Sequence, residues 1–256
     1  MERTRIVPFK VSFDLVKTID KYLNWLLYFV LFLGIIVLIL SKCEVEKNNT
    51  YAENINYIIG VLSLVFFLVD LLKRFLLQLA EQRRRKDFID NSLDTNLSDF
   101  RSEGYYSNDS IDPGIHKMGV NCFENSFFSM NISKRMIAGL TIQCAIVFVI
   151  FWLLLMSTDK VTIATFLQFA LPYTIIQQLV IVIIYYFQME SIFNYFKLLF
   201  GSAQEQKKDL LIIHNVINYE STISWAGVVL DDKTFKNNND MLSEKWDEIK
   251  KSHNLT

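Results

Sequence analysis

Arg83-Arg84-Arg85-Lys86 is the densest run of charge in the chain. Guanidinium forks match phosphate oxygens in pairs, so such a run can hold the phosphates of a nucleotide ligand. Repeated around the axis of an oligomer, it would instead form an electropositive ring that favours anions. A third reading is structural: a solvated helix face paired with Glu81, Asp87 and Asp90, doubling as a positive-inside signal. The sequence leaves all three open.

A second pattern carries no charge. At 100° per residue, Thr174, Gln177, Gln178, Tyr185 and Gln188 fall within about 100° of one another on a helix. Amides and hydroxyls of this kind are what a permeation path tolerates. They are also what packed membrane helices use to hydrogen-bond one another. Pro172 lies nearby, where a missing amide proton frees a carbonyl and kinks a helix.

Other chemistry finds little support. His116, His214 and His253 are read in a loop, a helix and the end of the tail, with no H-E-x-x-H or triad-like context. Ser157-x-x-Lys160 has the spacing of a serine–lysine pair but sits in a four-residue turn. Cys43, Cys122 and Cys144 fall in three different compartments, which excludes a bridge among them and offers no zinc spacing. No glycine-rich phosphate loop is present. The chain is therefore not read as an enzyme, and no cofactor is expected.

The elements that must position these residues are set by four charge-free stretches: Tyr22–Leu40, Ile55–Val69, Met136–Met156 and Val161–Met189. They hold 19, 15, 21 and 29 residues, and Leu71-Leu72 prolong the second beyond Asp70. A hydrocarbon core about 30 Å thick takes about 20 helical residues. Lipid cannot satisfy a bare amide, so each stretch must close its own hydrogen bonds as a helix. The first stretch is longer than a signal-peptide core and no small-residue cleavage site follows, which favours a retained helix. Asp70, Lys73 and Arg74 at the membrane edge read as pairing along one helix face. No ionisable residue lies within the other three spans, which weighs against coupled transport and leaves passive conduction open. Four helices from one chain enclose too little room for a conduit. A pore would therefore need a homo-oligomer, with a cyclic tetramer as the simplest guess.

Lys and Arg number five in residues 1–21, ten in 70–135 and eight in 190–256, against two in 41–54 and one in 157–160. This asymmetry puts both termini and the middle segment in the cytoplasm of a multi-pass membrane protein. Net charge is −1, so any anion site must be a local patch. The expected fold is all-α and polytopic, four transmembrane helices with a small cytoplasmic helical domain. Its segments are an N-terminal stretch 1–21, a first transmembrane hairpin 22–74, an insert 75–135, a second hairpin 136–189 and a helical tail 190–256. The second span should run on below the membrane through Leu72, Phe75, Leu76 and Leu79 as far as Asp90-Asn91-Ser92. A polar, turn-rich stretch follows, from Asn91 to Gly114. Next comes a short amphipathic helix bearing Val120, Phe123, Phe127 and Phe128, which either lies at the lipid interface or packs on neighbouring helices. Gly201-Ser202 should break the fourth helix, with further helices at about Ala203–Asn218 and Met241–Ile249. Trp225 and Trp246 are expected to be buried.

With "LAEQRRRKDFIDNS" after the second span, "KMGVNCFENSFFSMNISKRM" before the third, and "NVINYESTISWAGVVLDD" and "LSEKWDEIK" in the tail, the chain resembles a known family. This is the family of SMODS-associated four-transmembrane pore-forming effectors of bacterial anti-phage systems, and within it the membrane effectors of Hailong defence. The resemblance lies in layout over nearly the whole chain. It implies a bacterial inner-membrane oligomer and a partner nucleotidyltransferase that supplies a nucleotide or short single-stranded DNA ligand. It further implies a channel held shut by bound DNA oligomers and opened on their loss, so that anion passage depolarises the infected cell. A membrane-anchored scaffold or sensor recruiting cytoplasmic partners is the rival reading.

Overall fold

A computed structural model describes residues 6–42, 46–157, 171–202 and 207–255. The described residues form six helices: α1 Lys10–Lys42, α2 Glu46–Leu93, α3 Ile115–Ser157, α4 Leu171–Gly201, α5 Lys208–Ala226 and α6 Asp232–Ser252. Among them there is no named strand, only an isolated antiparallel bridge between Ile6 and Glu103. Four of the helices, α1 to α4, are long and apolar enough to cross a membrane. Their surfaces fit that role: the most apolar window of α2 is only 6% buried, and Leu64, Phe67 and Leu68 on it are exposed. Side chains of this kind are stable facing hydrocarbon and unstable facing water.

The chain divides into two compact units. Unit 1 takes Met1–Ser12, Gln78–Gly139 and Val180–Thr256; unit 2 takes Phe13–Leu77 and Leu140–Leu179. In unit 2, Leu27, Val30 and Val37 of α1, Ala52 and Ile59 of α2, Val147 of α3 and Ile175 of α4 form one buried cluster. The Cys144 thiol donates to the Ile175 carbonyl oxygen at 3.7 Å. At one end of this unit Asp70 pairs with Lys73 at 2.9 Å and with Arg74 at 2.8 Å, as the sequence spacing predicts. Lys73 also reaches Asp20 of α1 at 2.8 Å, a tie between helices that local spacing does not announce.

Unit 1 is built around Phe123, whose ring lies 5.1 Å from Phe193, 5.7 Å from Phe200 and 5.1 Å from Trp246. Val120, Phe123 and Phe127 are thus core residues on the first turns of α3. The segment expected as a separate amphipathic helix is continuous with the third span and packs on its neighbours. Gly119 permits the close approach of α5, because a Cβ there would stand 2.8 Å from Ile212 Cγ2. Asn121 donates to Asn91 Oδ1 at 2.9 Å and accepts from Asn108 at 2.9 Å, pinning the 94–114 loop onto the helices. Asp90 holds the same loop by accepting from the Thr95 hydroxyl and the Leu97 amide at 2.7 Å, and twice from Ser98.

Several boundaries differ from the sequence reading. Helix α1 begins at Lys10, well before the charge-free stretch, because lipid sets where charges stop and not where helices start. Helix α2 likewise starts at Glu46, within the 41–54 segment that separates the first two charge-free stretches. Helix α4 stops at Gly201, as expected. Helix α5 runs on to Ala226 and is ended by Gly227 in the left-handed region, φ 55°, whose amide returns to the Ile223 carbonyl. That extension leaves Trp225 59% exposed, while Trp246 is buried as expected. Helix α6 starts at the Asp231 cap, whose carboxylate accepts from the Thr234 amide at 2.6 Å. Cys43, the turn at 158–160, the part of the fourth span before Leu171 and the start of the expected 203–218 helix lie outside the described residues. Pro172 is the second residue of the described α4, so the turn it was expected to kink also lies outside.

Candidate functional site

Four consecutive basic residues on a helix cannot share a face, since each step turns the chain by 100°. In α2 this rotation splits the cluster. Arg84 points inward and is 9% exposed. Its Nε donates to Glu81 Oε2 at 2.6 Å and its Nη2 to Glu220 Oε2 at 2.7 Å. The Arg85 Nε donates to the same Glu220 oxygen at 3.0 Å, and its Nη2 to Ser224 Oγ at 2.7 Å. Arg83 Nη1 donates to Ser12 Oγ at 2.6 Å. Lys86 is exposed.

The cluster is therefore largely a fastening device for α5 within unit 1. Arg84 cannot meet a ligand without abandoning a buried ion pair, so any anion must be met by Arg83, Lys86 and the outer edge of Arg85. Of the carboxylates expected as its partners, Glu81 takes the role. Asp87 instead accepts from the Ser102 amide and hydroxyl at 2.6 and 2.7 Å, and Asp90 from the loop. The residues that sequence reasoning missed are Glu220, Ser224 and Ser12. Nothing local marks them, because they come from segments remote in the chain.

Two tyrosines belong to the same buried interior of unit 1. Tyr106 and Tyr219 are 5% and 3% exposed, and burial pushes both phenols well above their ordinary value. Among the described residues the Tyr106 hydroxyl and Glu220 Oε1 have no hydrogen-bond partner.

The uncharged stripe divides as well. In unit 2, Gln177 and Gln178 are exposed. In unit 1, Gln188 is exposed, but Tyr185 belongs to the buried cluster with Met189 and Ile192 and is withdrawn from the stripe. It is amphipathic enough to pack where a glutamine is not. Thr174 falls on the first turn of the described α4. His116 stands in the first turn of α3, not in a loop, with its ring edge-on to Phe200 at 5.6 Å. His214 pairs with Asn218 on α5 at 3.1 Å, and His253 caps α6. Among the described residues no three His, Cys, Asp or Glu side chains gather in a way that could hold a metal ion.

These features define a multi-pass helical membrane protein class, with charge-free apolar helices and a polar-laced helical unit. Compared with family models, curated proteins and solved structures, the chain has no match.

Proposed function

We propose that this chain is the protomer of an oligomeric membrane pore, an ion-channel effector of bacterial anti-phage defence like the family it resembles. Both termini would face the cytoplasm of a bacterial inner membrane. A nucleotide or short DNA ligand on that side would gate the pore, and depolarisation would arrest or kill the infected cell.

One observation carries the reading. Gln177, Gln178 and Gln188 are exposed on a helix whose neighbours are apolar. An amide facing hydrocarbon costs several kcal/mol unless it finds a partner, about 2 to 7 by transfer measurements. A second copy of the chain or a water-filled path relieves that cost, and an oligomer around a conduit supplies both. The ligand side of the proposal rests on Lys86, Arg83 and the outer part of Arg85.

Planar-bilayer recording on the purified protein tests the reading. Discrete conductance modulated by oligonucleotides is the expected result; a silent bilayer, with and without them, overturns it. The scaffold alternative draws on Leu210, Ile217 and Trp225, an exposed apolar stripe on α5. Expressing the chain without other genes separates the two readings, since a passive scaffold leaves the membrane potential intact.

A further inference from the structure

Gln143 of α3 is an exposed amide that the stripe on α4 does not include. It belongs to unit 2, as do Gln177 and Gln178. Gln143 lies seven residues from the nearer end of the third charge-free stretch, and Gln177 twelve from the nearer end of the fourth. Both therefore stand about 10 Å or more inside an apolar segment. Among the described residues neither side chain has a hydrogen-bond partner.

Their relative depth follows from one contact. The Cys144 thiol, bonded to the Ile175 carbonyl at 3.7 Å, sets the level of α3 against α4 within unit 2. Gln143 is one residue from Cys144, and Gln177 is two from Ile175. Consecutive spans run antiparallel, so both steps lead toward the same face of the membrane. At about 1.5 Å per residue the two amides stand within about 5 Å of each other in depth. They do not share a direction. Gln143 is turned about 100° from Cys144, the residue that touches α4, and Gln177 about 200° from Ile175. Ile175 is buried, at 3% exposure, so Gln177 faces away from the core of the unit.

Two unpartnered amides at one depth, on different sides of the unit, match one kind of symmetry. A cyclic oligomer in a bilayer has its axis along the membrane normal, and rotation about that axis preserves depth. In a head-to-tail ring each copy presents two different patches, which meet only if they lie at the same level. We infer that Gln143 of one copy meets Gln177 of the next, amide to amide, so that α3 and α4 form the two halves of the contact between copies. Each amide carries two donors and an acceptor. Hydrocarbon answers neither, and a second amide answers both. The inference rests on the oligomer of the proposed pore. It assigns Gln177 to the seam between copies and leaves Gln178 and Gln188 to the path.

A double-mutant cycle on the full chain in detergent tests it, read as oligomer mass against protein concentration. Gln143→Leu and Gln177→Leu should each raise the concentration of half-dissociation about threefold per contact. The double variant should do no more than either alone, because the same bond is lost in all three. Additive effects, or no effect of either change, overturn the inference. Cross-linking gives a readout independent of stability. Two differently tagged chains, one Gln143→Cys and the other Gln177→Cys, are coexpressed in a Cys43→Ser, Cys122→Ala, Cys144→Ser background. They are then treated in native membranes with a short bis-methanethiosulfonate. A product carrying both tags is expected. Products joined only 143 to 143 or 177 to 177 mean a face-to-face contact and overturn the head-to-tail arrangement. A parent protein that is monomeric by mass removes the oligomer reading and this contact together. An intact oligomer with neither coupling nor a two-tag product removes this contact alone.

Discussion

Arg84 Nη2 lies 2.7 Å from Glu220 Oε2, a pairing across 136 residues of sequence. Both side chains are mostly buried, at 11% and 15% exposure. Removing one partner of a buried pair leaves the other charge without compensation, which typically costs 3 to 5 kcal/mol. Glu81 remains beside Arg84 and offsets part of this. Glu220→Gln should therefore destabilise unit 1 by about 3 kcal/mol, at the low end of that range. Replacing Arg85, which is 37% exposed, should cost about 1 kcal/mol or less. Denaturant unfolding in detergent measures both; equal costs would mean that Arg85 and not Arg84 carries the fastening.

Tyr106 and Tyr219 give the protein an alkaline limit. Burial raises both phenols in the folded state above the ordinary value of 10.0. The folded protein then binds protons that the unfolded chain has released, so stability is full below about pH 10 and falls as pH rises beyond it. Tyr106→Phe should abolish part of that fall. It should also be neutral or slightly stabilising at pH 7, because the hydroxyl it removes has no partner among the described residues. Melting temperatures from pH 7 to 11 decide the point. A variant that loses stability at neutral pH would show that the hydroxyl is bonded after all.

Gly119 is a contact residue more than a flexible one. An alanine methyl would stand 2.8 Å from Ile212 Cγ2 and 3.2 Å from Phe200 Cζ, inside van der Waals range. Overpacking of this kind costs about 1 to 3 kcal/mol. Gly119→Ala should lower the melting temperature, and it should cost markedly less in an Ile212→Ala background, which removes both the Cγ2 at 2.8 Å and the Cδ1 at 3.3 Å from the added methyl. Additive effects of the two changes would mean the α3–α5 approach is looser than its geometry.

The spans were readable in the sequence because lipid imposes a composition rule residue by residue, and no tertiary knowledge is needed to see nineteen uncharged residues in a row. The continuation of α2 was readable for a related reason: Phe75 and Leu76 keep its helical period past Asp70. What escaped were relations between remote segments. The partner of Arg84 is a glutamate whose own neighbourhood looks like any helix surface. Trp225 was expected inside on size alone, yet α5 buries Tyr219, Thr222 and Ile223 and turns the indole outward. Tyr185 falls within the angular range of the glutamines, but at its level of α4 the facing residues are core, and periodicity carries no information about what stands opposite. Lys117 is 7% exposed as a residue, and nothing beside it in the sequence marks it as covered.

The exposed amides give the pore reading its sharpest mutational test. Gln178 and Gln188 stand outside the core, so leucine at either position removes an amide without creating a cavity. If they line a water-filled path, Gln178→Leu adds an apolar constriction that favours dewetting and should cut single-channel conductance severalfold, with folding and assembly intact. If they only hydrogen-bond between copies, the same change should weaken the oligomer instead, by about 0.6 kcal/mol per bond, and leave the conductance of surviving assemblies unchanged. Recording conductance and oligomer mass on the same preparations separates these outcomes. Leu64→Ala, on the exposed apolar face of α2, serves as the control that should alter neither.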